Sequence, residues 1–321
     1  MALLIASCGT GAGPPPVPGP IGPPSGSSGP PLSWALPALE DPETIALGPG
    51  TTSTDLEAGK DYILTVPRTG KGDTFIRGGR NIVIIGGHIS TGRGQAPWTS
   101  SEHRALYFAD TTGVIHVEGV LIDDIDSGQG DGIAIAAPTA TLQIQNVRIT
   151  GLSGMEQGNH ADVVQTWGGV KELRIDRLTG STNYQGLHIQ PDLGPIGRAT
   201  IRNTNVASTS DTAGNWLTWL TTGSNTCETA EQVLLDEVYV TPRPGRNLGD
   251  SVWPPSDGAD AGDAPDPVQN CLSVLSADGS ELSFPELPRV SGVIREGPPP
   301  GGDFVPEGVA GPDYVSPGYV R

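Results

Sequence analysis

Basic residues are scarce in this chain of 321 residues. It has 18 Lys and Arg against 36 Asp and Glu, which gives a formal net charge of −18 at pH 7. A surface this acidic repels the phosphates of nucleic acids and anionic bilayers. We therefore expect no nucleic-acid partner. The ligand should be neutral, cationic or bridged by a metal, because a polyanionic substrate would need a local basic groove.

Several motifs are also missing. The chain has no G-x-S-x-G nucleophile motif, no H-E-x-x-H zinc motif and no zinc-type C-x-x-C pair. Its Gly-rich stretches GPGTTS and RTGKGD lack the spacing of a phosphate-binding loop. No run reaches the roughly 18 apolar residues that a membrane-spanning helix needs. These absences argue against several common enzyme classes and against a transmembrane segment.

Turn residues and short alternating runs are abundant. The 46 Gly and 31 Pro indicate a turn-dense β architecture, and 36% hydrophobic residues suffice for a sizeable core. A pattern of the form apolar-x-Asn/Gly-apolar-x-apolar recurs every 26 to 34 residues, beginning at Ile84, Val117, Ile144, Ile175, Ile201 and Leu235. Such a period is typical of arrays in which each unit buries its apolar face against its neighbours.

The repeats IIGGHI, VEGVLI, IQNVRI, IDRLTG, IRNTNV and LDEVYV alternate β-branched and polar residues, and the loops between them vary in length. These features fit a parallel β-helix. Residues from about 61 to 276, roughly two thirds of the chain, resemble right-handed parallel β-helix proteins of the pectin lyase-like superfamily. The resemblance implies an all-β, right-handed parallel β-helix solenoid, which we expect to end in an extended C-terminal cap.

The segments outside the repeats suggest export and attachment to a surface. Residues 1–8, MALLIASC, resemble a partial bacterial lipoprotein signal with Cys8 as the lipidation site; a frayed apolar terminus is the alternative. Residues 9–32 are mostly Gly, Pro and Ser and predict a disordered linker. We expect an N-terminal cap over residues 33–60 with a short helix at DPETIALG, the β-helix over residues 61–276, and an extended tail over residues 277–321.

The cysteines predict the compartment. Cys227 and Cys271 lie about one repeat apart, and we predict a disulfide between them, with two buried free thiols as the alternative. A disulfide and a lipidated Cys8 would both indicate an extracytoplasmic protein, either a cell-envelope or surface lipoprotein or a secreted one. Membrane contact would then occur only through the lipid anchor, and we expect a monomer.

The strand register decides which side chains share a face, because equivalent positions of successive coils lie about 4.8 Å apart. We align the first strands of five repeats at Arg104, Asp131, Asp162, Gln185 and Asn215, which form the first outward column. The other two outward columns are Tyr107, Ala134, Gln165, His188 and Thr218, and Ala109, Ala136, Trp167, Gln190 and Leu220. In the last of these strands, Leu217 and Trp219 are predicted to point inward.

The outward columns carry the candidate chemistry. Asp131 and Asp162 would lie side by side on adjacent coils, where repulsion raises one pKa and creates a proton donor beside a base, as glycoside hydrolysis requires. His160 and His188 are predicted to assist as bases. The predicted sugar-binding side chains combine aromatic faces, amides and one cation, and they are Tyr107, Gln165, Trp167, Gln190 and Arg104.

We therefore expect a protein that binds or hydrolyses a polysaccharide or surface glycan. The Asn-Thr-Asp, Asp-Asp, His-Gly and Arg-Ile-Lys motifs of polygalacturonase-type hydrolases are not all present, so no residue role follows from the resemblance. A purely structural role also stays open, in which the aspartates form Asx turns and the histidines organise loops. The remaining alternative for the whole protein is a non-catalytic adhesin or envelope component.

A calcium-dependent polysaccharide lyase is the nearest competing enzyme. Calcium would compensate for the few basic residues on the predicted face, and two acidic runs offer oxygen ligands: Asp123, Asp124, Asp126 and Asp131, and Asp257, Asp260 and Asp263. Neither run has the spacing of an EF-hand or an RTX repeat, so solvated acidic loops are the favoured interpretation. We predict no cofactor, with calcium as the one to test.

Overall fold

A computed structural model of the chain describes residues 29–48, 53–67, 70–71, 74–90, 104–123, 130–155, 160–210, 216–222, 227–259 and 271–318. Cys8 and most of the predicted linker lie outside these ranges. The described residues form strands and one short 3-10 helix, η1 (Leu248–Asp250), and contain no α-helix. The strands are β1 (Glu43–Ala46), β2 (Ser53–Leu56), β3 (Tyr62–Thr65), β4 (Gly70–Lys71), β5 (Phe75–Gly78), β6 (Ile82–Ile85), β7 (His88–Ser90), β8 (Arg104–Ala109), β9 (Val114–Glu118), β10 (Leu121–Asp123), β11 (Asp131–Leu152), β12 (Val164–Gln165), β13 (Val170–Thr182), β14 (Leu187–His188), β15 (Ile196–Ser208), β16 (Thr218–Trp219), β17 (Gln232–Thr241), β18 (Val252–Trp253), β19 (Val274–Leu275), β20 (Glu281–Ser283), β21 (Val290–Ser291) and β22 (Ile294–Glu296).

Strands from successive repeats pair in parallel and form what we term the first ladder. Its order is β2, β5, β8, the start of β11, β12, β14, β16 and β18. Each strand is one rung. Tyr107, Ala134, Gln165 and His188 occupy matching positions on four successive rungs. This confirms the predicted register for that part of the chain.

Two further parallel ladders complete each repeat. The second ladder runs β1, β3, β6, β9, β11, β13, β15, β17 and β21. The third ladder runs β4, β7 and β10, then through the later parts of β11, β13, β15 and β17 to β22. The result is an all-β fold with long, largely parallel pairing, which is compatible with the predicted β-helix.

The Asn/Gly position of the repeat marks the corner between the second and third ladders. Six residues in matching positions all have a left-handed backbone, with φ between 44° and 65°: Gly86, Gly119, Asn146, Arg177, Asn203 and Glu237. Glycine adopts this conformation without strain, and Asn is the commonest other residue to do so. The Asn/Gly preference in the sequence therefore reflects a bend that every repeat makes at the same point.

The core consists of stacked aliphatic side chains from the inward faces. On the first ladder Leu106, Ile133, Val164 and Leu187 follow one another at matching positions, and all are fully buried. Burying each such side chain stabilises the fold by about 1.5–3 kcal/mol. The core is therefore built rung by rung, as the repeat pattern predicts.

The N-terminal described segment differs from the prediction. DPETIALG contains strand β1, which pairs in parallel with β3, instead of the expected short helix. The segment before it, residues 29–36, lies across the outward face of the second ladder. There Gln145 accepts from the backbone N–H of Ser33 at 2.8 Å and donates to the carbonyl of Trp34 at 2.9 Å. A strand satisfies its backbone groups against β3, which a lone helical turn at this edge would not do.

The C-terminal tail pairs with the last repeat and then returns along the molecule. β22 pairs in parallel with β17 and antiparallel with β20. Further on, Asp303 accepts from Arg148 at 2.8 Å and from Asn205 at 2.9 Å. The ring of Tyr314 packs against Gly119, and its hydroxyl donates to Glu118 at 2.7 Å. The tail thus contacts several middle rungs.

Cys227 and Cys271 form a disulfide, with their Cα atoms 5.3 Å apart. This confirms the predicted pairing and fits an oxidising compartment. The bond links two segments that are 44 residues apart in the chain.

Candidate functional site

The outward face of the first ladder brings the predicted acidic residues onto neighbouring rungs. Asp131 matches Arg104 in register, and Asp131 Oδ1 accepts from the backbone N–H of Asp162 at 3.0 Å. Close packing of adjacent coils is possible because Gly132 follows Asp131. A Cβ at Gly132 would lie 2.7 Å from the carbonyl oxygen of Val163. The Asp-Gly sequence therefore places a carboxylate against the backbone of the next coil.

Arg104 is held from three sides. Its Nε donates to Asp131 Oδ2 at 2.8 Å. Its guanidinium carbon lies 4.8 Å from the ring centroid of Tyr107 and 5.1 Å from that of Trp167. The indole of Trp167 is 44% exposed, whereas Arg104 and Asp131 are buried. The two rings and the carboxylate fix the cation, and Trp167 offers an open aromatic face beside it.

Asp131 has an altered acidity. Burial, and after it the neighbouring Asp162 carboxylate, raise its pKa to about 7. Arg104 and the hydrogen bond from the Asp162 backbone oppose this rise without cancelling it. A carboxyl with this pKa is protonated in a large fraction of molecules near neutral pH, so it can serve as a proton donor.

His188 holds the second carboxylate. Its Nδ1 lies 3.2 Å from Asp162 Oδ1 and makes its hydrogen bond to Oδ2 at 3.3 Å, while its Nε2 contacts the side-chain oxygen of Gln190. Burial lowers the pKa of His188, but the Asp162 carboxylate and the hydrogen bonds to Asp162 and Gln190 outweigh burial, so the pKa is raised. Each ring nitrogen faces an oxygen acceptor, on Asp162 or on Gln190, so the imidazolium form is favoured. His188 is therefore poorly placed to act as a base on a substrate.

His160, predicted to assist as a base, lies in the turn before β12. Its ring is exposed and stacks on Tyr184, with centroids 4.9 Å apart. His188 is the histidine that contacts Asp162. Asn215, predicted for the first column, lies outside the described residues.

Three buried oxygens at this site accept no hydrogen bond within the described part of the chain. They are Asp162 Oδ1, Gln165 Oε1 and Gln185 Oε1. Gln165 follows the predicted column and has its amide nitrogen 3.4 Å from His188 Nδ1. An unpaired buried acceptor costs about 1–3 kcal/mol. Asp162 Oδ1 also lies 3.2 Å from His188 Nδ1 in the ion pair, so the two amide oxygens on adjacent rungs are the stronger indication that the site takes hydrogen-bond donors from a ligand.

The far wall of the site is aromatic, and the register prediction is wrong there. Trp219 pairs with His188 and stacks on its ring at 5.3 Å, so Trp219 lies on the outward column and Thr218 turns inward beside Leu187. Trp253 on β18 continues the column and lies 5.2 Å from Trp219. Stacking on His188 and Trp253 outweighs burial of Trp219 in the aliphatic core.

Sequence reasoning missed Trp219 and Trp253 as site residues. Trp253 falls in residues 243–269, which the sequence suggested to be an acidic insertion. The signal that would have revealed Trp253 is the short apolar pair Val252–Trp253, which follows Trp219 at about one repeat length.

No group of three or more His, Cys, Asp and Glu side chains suited to a metal ion occurs within the described ranges. Of the first predicted calcium set, Asp123 is in contact with His88 Nε2 at 2.7 Å and Asp131 is bound to Arg104. Asp124, Asp126, Asp260 and Asp263 lie outside the described residues. The calcium hypothesis therefore gains no support from the described side chains.

No protein-family model matches this chain, and neither a curated protein nor a solved structure is significantly similar to it. None of the helices in the described ranges is long and apolar enough to cross a membrane.

Proposed function

We propose that this chain is an exported, right-handed parallel β-helix protein of the pectin lyase-like type that binds a polysaccharide on its first ladder and hydrolyses it. One observation carries the proposal. Two buried carboxylates meet across adjacent rungs, and each has its own cation, Arg104 for Asp131 and His188 for Asp162. This asymmetry supports different roles for the two acids.

In the proposed reaction Asp131 gives its proton to the glycosidic oxygen as the bond to the anomeric carbon breaks. Asp162, which His188 holds, either takes a proton from the attacking water or attacks the anomeric carbon itself. The first route inverts the anomeric configuration. In the second route the deprotonated Asp131 takes a proton from a water that then displaces Asp162 from the anomeric carbon, so the configuration is retained. Tyr107 and Trp167 would support the sugar rings, since aromatic faces pack against sugar C–H groups.

The test uses the purified protein with neutral and uronic polysaccharides, with and without Ca²⁺. Reducing ends and the absorbance of unsaturated products are followed together. Reducing ends without unsaturation support hydrolysis, and NMR of the first product then distinguishes inversion from retention. Unsaturated products would instead establish a lyase and overturn the proposal.

Asp162→Asn should lower the hydrolysis rate by about 10²–10⁴-fold, because it removes the ionised group from the pair. Asp236→Asn is the matched control: Asp236 is an exposed aspartate on the second ladder, paired with Arg202. Equal loss of activity in both variants would contradict a catalytic role for Asp162.

A binding function without catalysis is the second candidate, and the complete burial of Asp162 favours it. In that case the first ladder would hold a glycan while the acids organise the face. Glycan binding with no product from any polysaccharide, together with unchanged binding in Asp162→Asn, would establish this alternative.

Export and attachment are proposed on separate grounds. The disulfide between Cys227 and Cys271 supports an extracytoplasmic location, and attachment would occur through Cys8. Labelling cells with a radioactive fatty acid should mark the protein but not its Cys8→Ala variant. An unlabelled wild-type chain would exclude the anchor and leave a secreted protein.

A further inference from the structure

The first ladder has no spare cation in the parts of it that the structure describes. Arg77 pairs with Asp110 at 3.8 Å, and Arg104 and His188 pair with the two acids of the site. The other arginines with known ion-pair partners on the repeats serve the second and third ladders: Arg148, Arg174, Arg177 and Arg202.

This distribution of charge disfavours an acidic sugar. A uronate carboxylate entering the face would lose water, and it would find Arg104 and His188 already engaged with Asp131 and Asp162. Burying a charge without a partner is strongly unfavourable. The net charge of −18 adds long-range repulsion of the same sign.

Three side-chain atoms without a hydrogen bond on these rungs are acceptors. Gln165 Oε1 lies on β12, Asp162 Oδ1 and Gln185 Oε1 lie in the turns that lead into β12 and β14, and the three side chains are at most 4% exposed. One donor, Trp216 Nε1 beside Trp219, is also without a partner on the next rung among the described residues. A carboxylate has no hydrogen to give them, whereas a sugar hydroxyl donates one hydrogen bond and accepts others. The ligand must therefore present donors at this end of the site.

Aromatic rings lie beside the acids and on the rungs before them. Trp167, on the rung of β12, is 44% exposed, and Phe75 and Tyr107 form a stacked pair with centroids 4.8 Å apart on β5 and β8. Arg77 and Arg104 each lie 4.8 Å from the centroid of one of these two rings. Tyr107 and Trp167 are two rungs apart, about 10 Å, which suits about two pyranose rings.

We infer that the site takes a neutral, hydroxyl-bearing glycan that lies along the first ladder and excludes polyuronates. The sugar beside Gln165 and Gln185 donates hydrogen bonds from its hydroxyls to the oxygens of Asp162, Gln165 and Gln185. Other sugar rings of the same glycan stack on Trp167 and Tyr107. This inference rests on the proposed function, since it names the substrate class of the same site.

The test is calorimetric titration of the full chain with neutral β-linked hexasaccharides, a hexauronide and a hexameric amino sugar, at one pH and one ionic strength. We expect at least one neutral hexasaccharide to bind at least tenfold more tightly than the hexauronide. Gln185→Met removes one acceptor at nearly constant length and should weaken neutral binding about tenfold. Gln232→Met is the matched control because Gln232 is exposed on the second ladder, and it should bind like the wild type.

The outcomes separate this inference from the function on which it rests. Tighter binding of the hexauronide or of the amino sugar would overturn the neutral class but keep a glycan-binding protein. Neutral binding that is unchanged in Gln185→Met would overturn the assignment of the acceptor oxygens. Failure of every hexasaccharide to bind would overturn the proposed function as well. Circular-dichroism melting of each variant shows whether it is folded.

Discussion

Two buried histidines lie on different ladders, and their surroundings differ in one respect. His116 on the second ladder contacts Glu118 at 2.8 Å, and its other nitrogen accepts from Gln143 at 2.8 Å. His188 on the first ladder likewise has a carboxylate and glutamines around it. Both contact a carboxylate and are flanked by amides, so the residue types alone do not distinguish them.

The surroundings of His116 and His188 differ in how many of the neighbouring polar atoms have a hydrogen-bond partner. Around His116, Gln143 also donates to the carbonyl of Ala35 at 2.9 Å, and Glu118 accepts from Tyr314 at 2.7 Å. Segments near both ends of the described chain thus supply partners to Gln143 and Glu118, although Arg174 Nε and Asn146 Oδ1 at the edge of this network have no hydrogen bond. Around His188 the side-chain oxygens of Gln165 and Gln185 have none within the described ranges. The polar atoms next to His116 are therefore satisfied by the chain itself, whereas unbonded amide oxygens next to His188 are typical of a site that binds a ligand.

The largest effect is expected where the tail docks on the second ladder. Gly119→Ala places a methyl group against the ring of Tyr314 at a residue with φ of 63°, and it should cost about 3 kcal/mol of unfolding free energy. Gly245→Ala is the control, because Gly245 has φ of 82° but no neighbour within 4 Å of the added methyl. It should cost only about 1 kcal/mol in urea unfolding. Equal costs would mean that Tyr314 docking does not stabilise the fold.

The free energy of unfolding should depend on pH through the titration of Asp131. Its pKa is raised to about 7 in the folded state, against about 3.9 when unfolded. The folded state therefore binds the extra proton between pH 4 and 7, and its stability falls as pH rises through this window. Relative to Asp131→Asn, the wild type should lose about 2 kcal/mol between pH 5 and 7.5.

Asp278→Asn is the control for that measurement. Hydrogen bonds from Ser276 and Ser280 lower the pKa of Asp278 to about 2, so its titration is complete below pH 5. This variant should follow the wild type between pH 5 and 7.5. A parallel response of Asp131→Asn and the wild type would remove the proposed proton donor.

Neutralising a carboxylate should destabilise the fold more at Glu118, beside His116, than at Asp162, beside His188. Glu118→Gln leaves one oxygen to serve both His116 and Tyr314, and it should cost about 1.5 kcal/mol in thermal or urea unfolding. Asp162→Asn relieves repulsion with Asp131 and lets His188 become neutral, so its cost should be under about 0.5 kcal/mol. The reverse order would mean that the first-ladder acid is the structural one.

The smallest contrast compares two glutamines. Gln143→Met loses contacts with Ala35, His116 and Arg174, and it should cost about 1 kcal/mol. Gln185→Met removes an unpaired acceptor, so unfolding should be unchanged or slightly more favourable to the native state. A cost at Gln185 equal to that at Gln143 would show that Gln185 has a structural partner.

The sequence predicts the first ladder well where small and polar residues fix the register. Asp131 and Gln185 each precede a glycine, and alternation then assigns Ala134, Gln165 and His188 to one face. The segment WLTWL offers apolar residues on both faces, so alternation cannot decide between them. Trp219 lies outward because of rings on neighbouring rungs, which the segment itself does not encode.

The second-ladder network could not be predicted from the sequence. Its key contacts join residues that are more than 100 positions apart, as between Gln143 and Ala35 or Glu118 and Tyr314. A Gly- and Pro-rich segment has no periodicity to indicate where it packs. The direction of the pKa shift of Asp131 was predictable because two acids share adjacent rungs, but the burial of Asp131, which is the larger cause, was not.

The packing of residues 29–36 and of the tail around Tyr314 against the middle rungs has a consequence for cooperativity. In an array whose units touch only their neighbours, unfolding can begin at either end and spread unit by unit. Here Gly29 donates to Val315 at 3.3 Å, and both segments lie on rungs in the middle of the array. An end repeat cannot separate without breaking contacts at the centre, so the repeats should melt together as one unit, even though the core is built of nearest-neighbour layers.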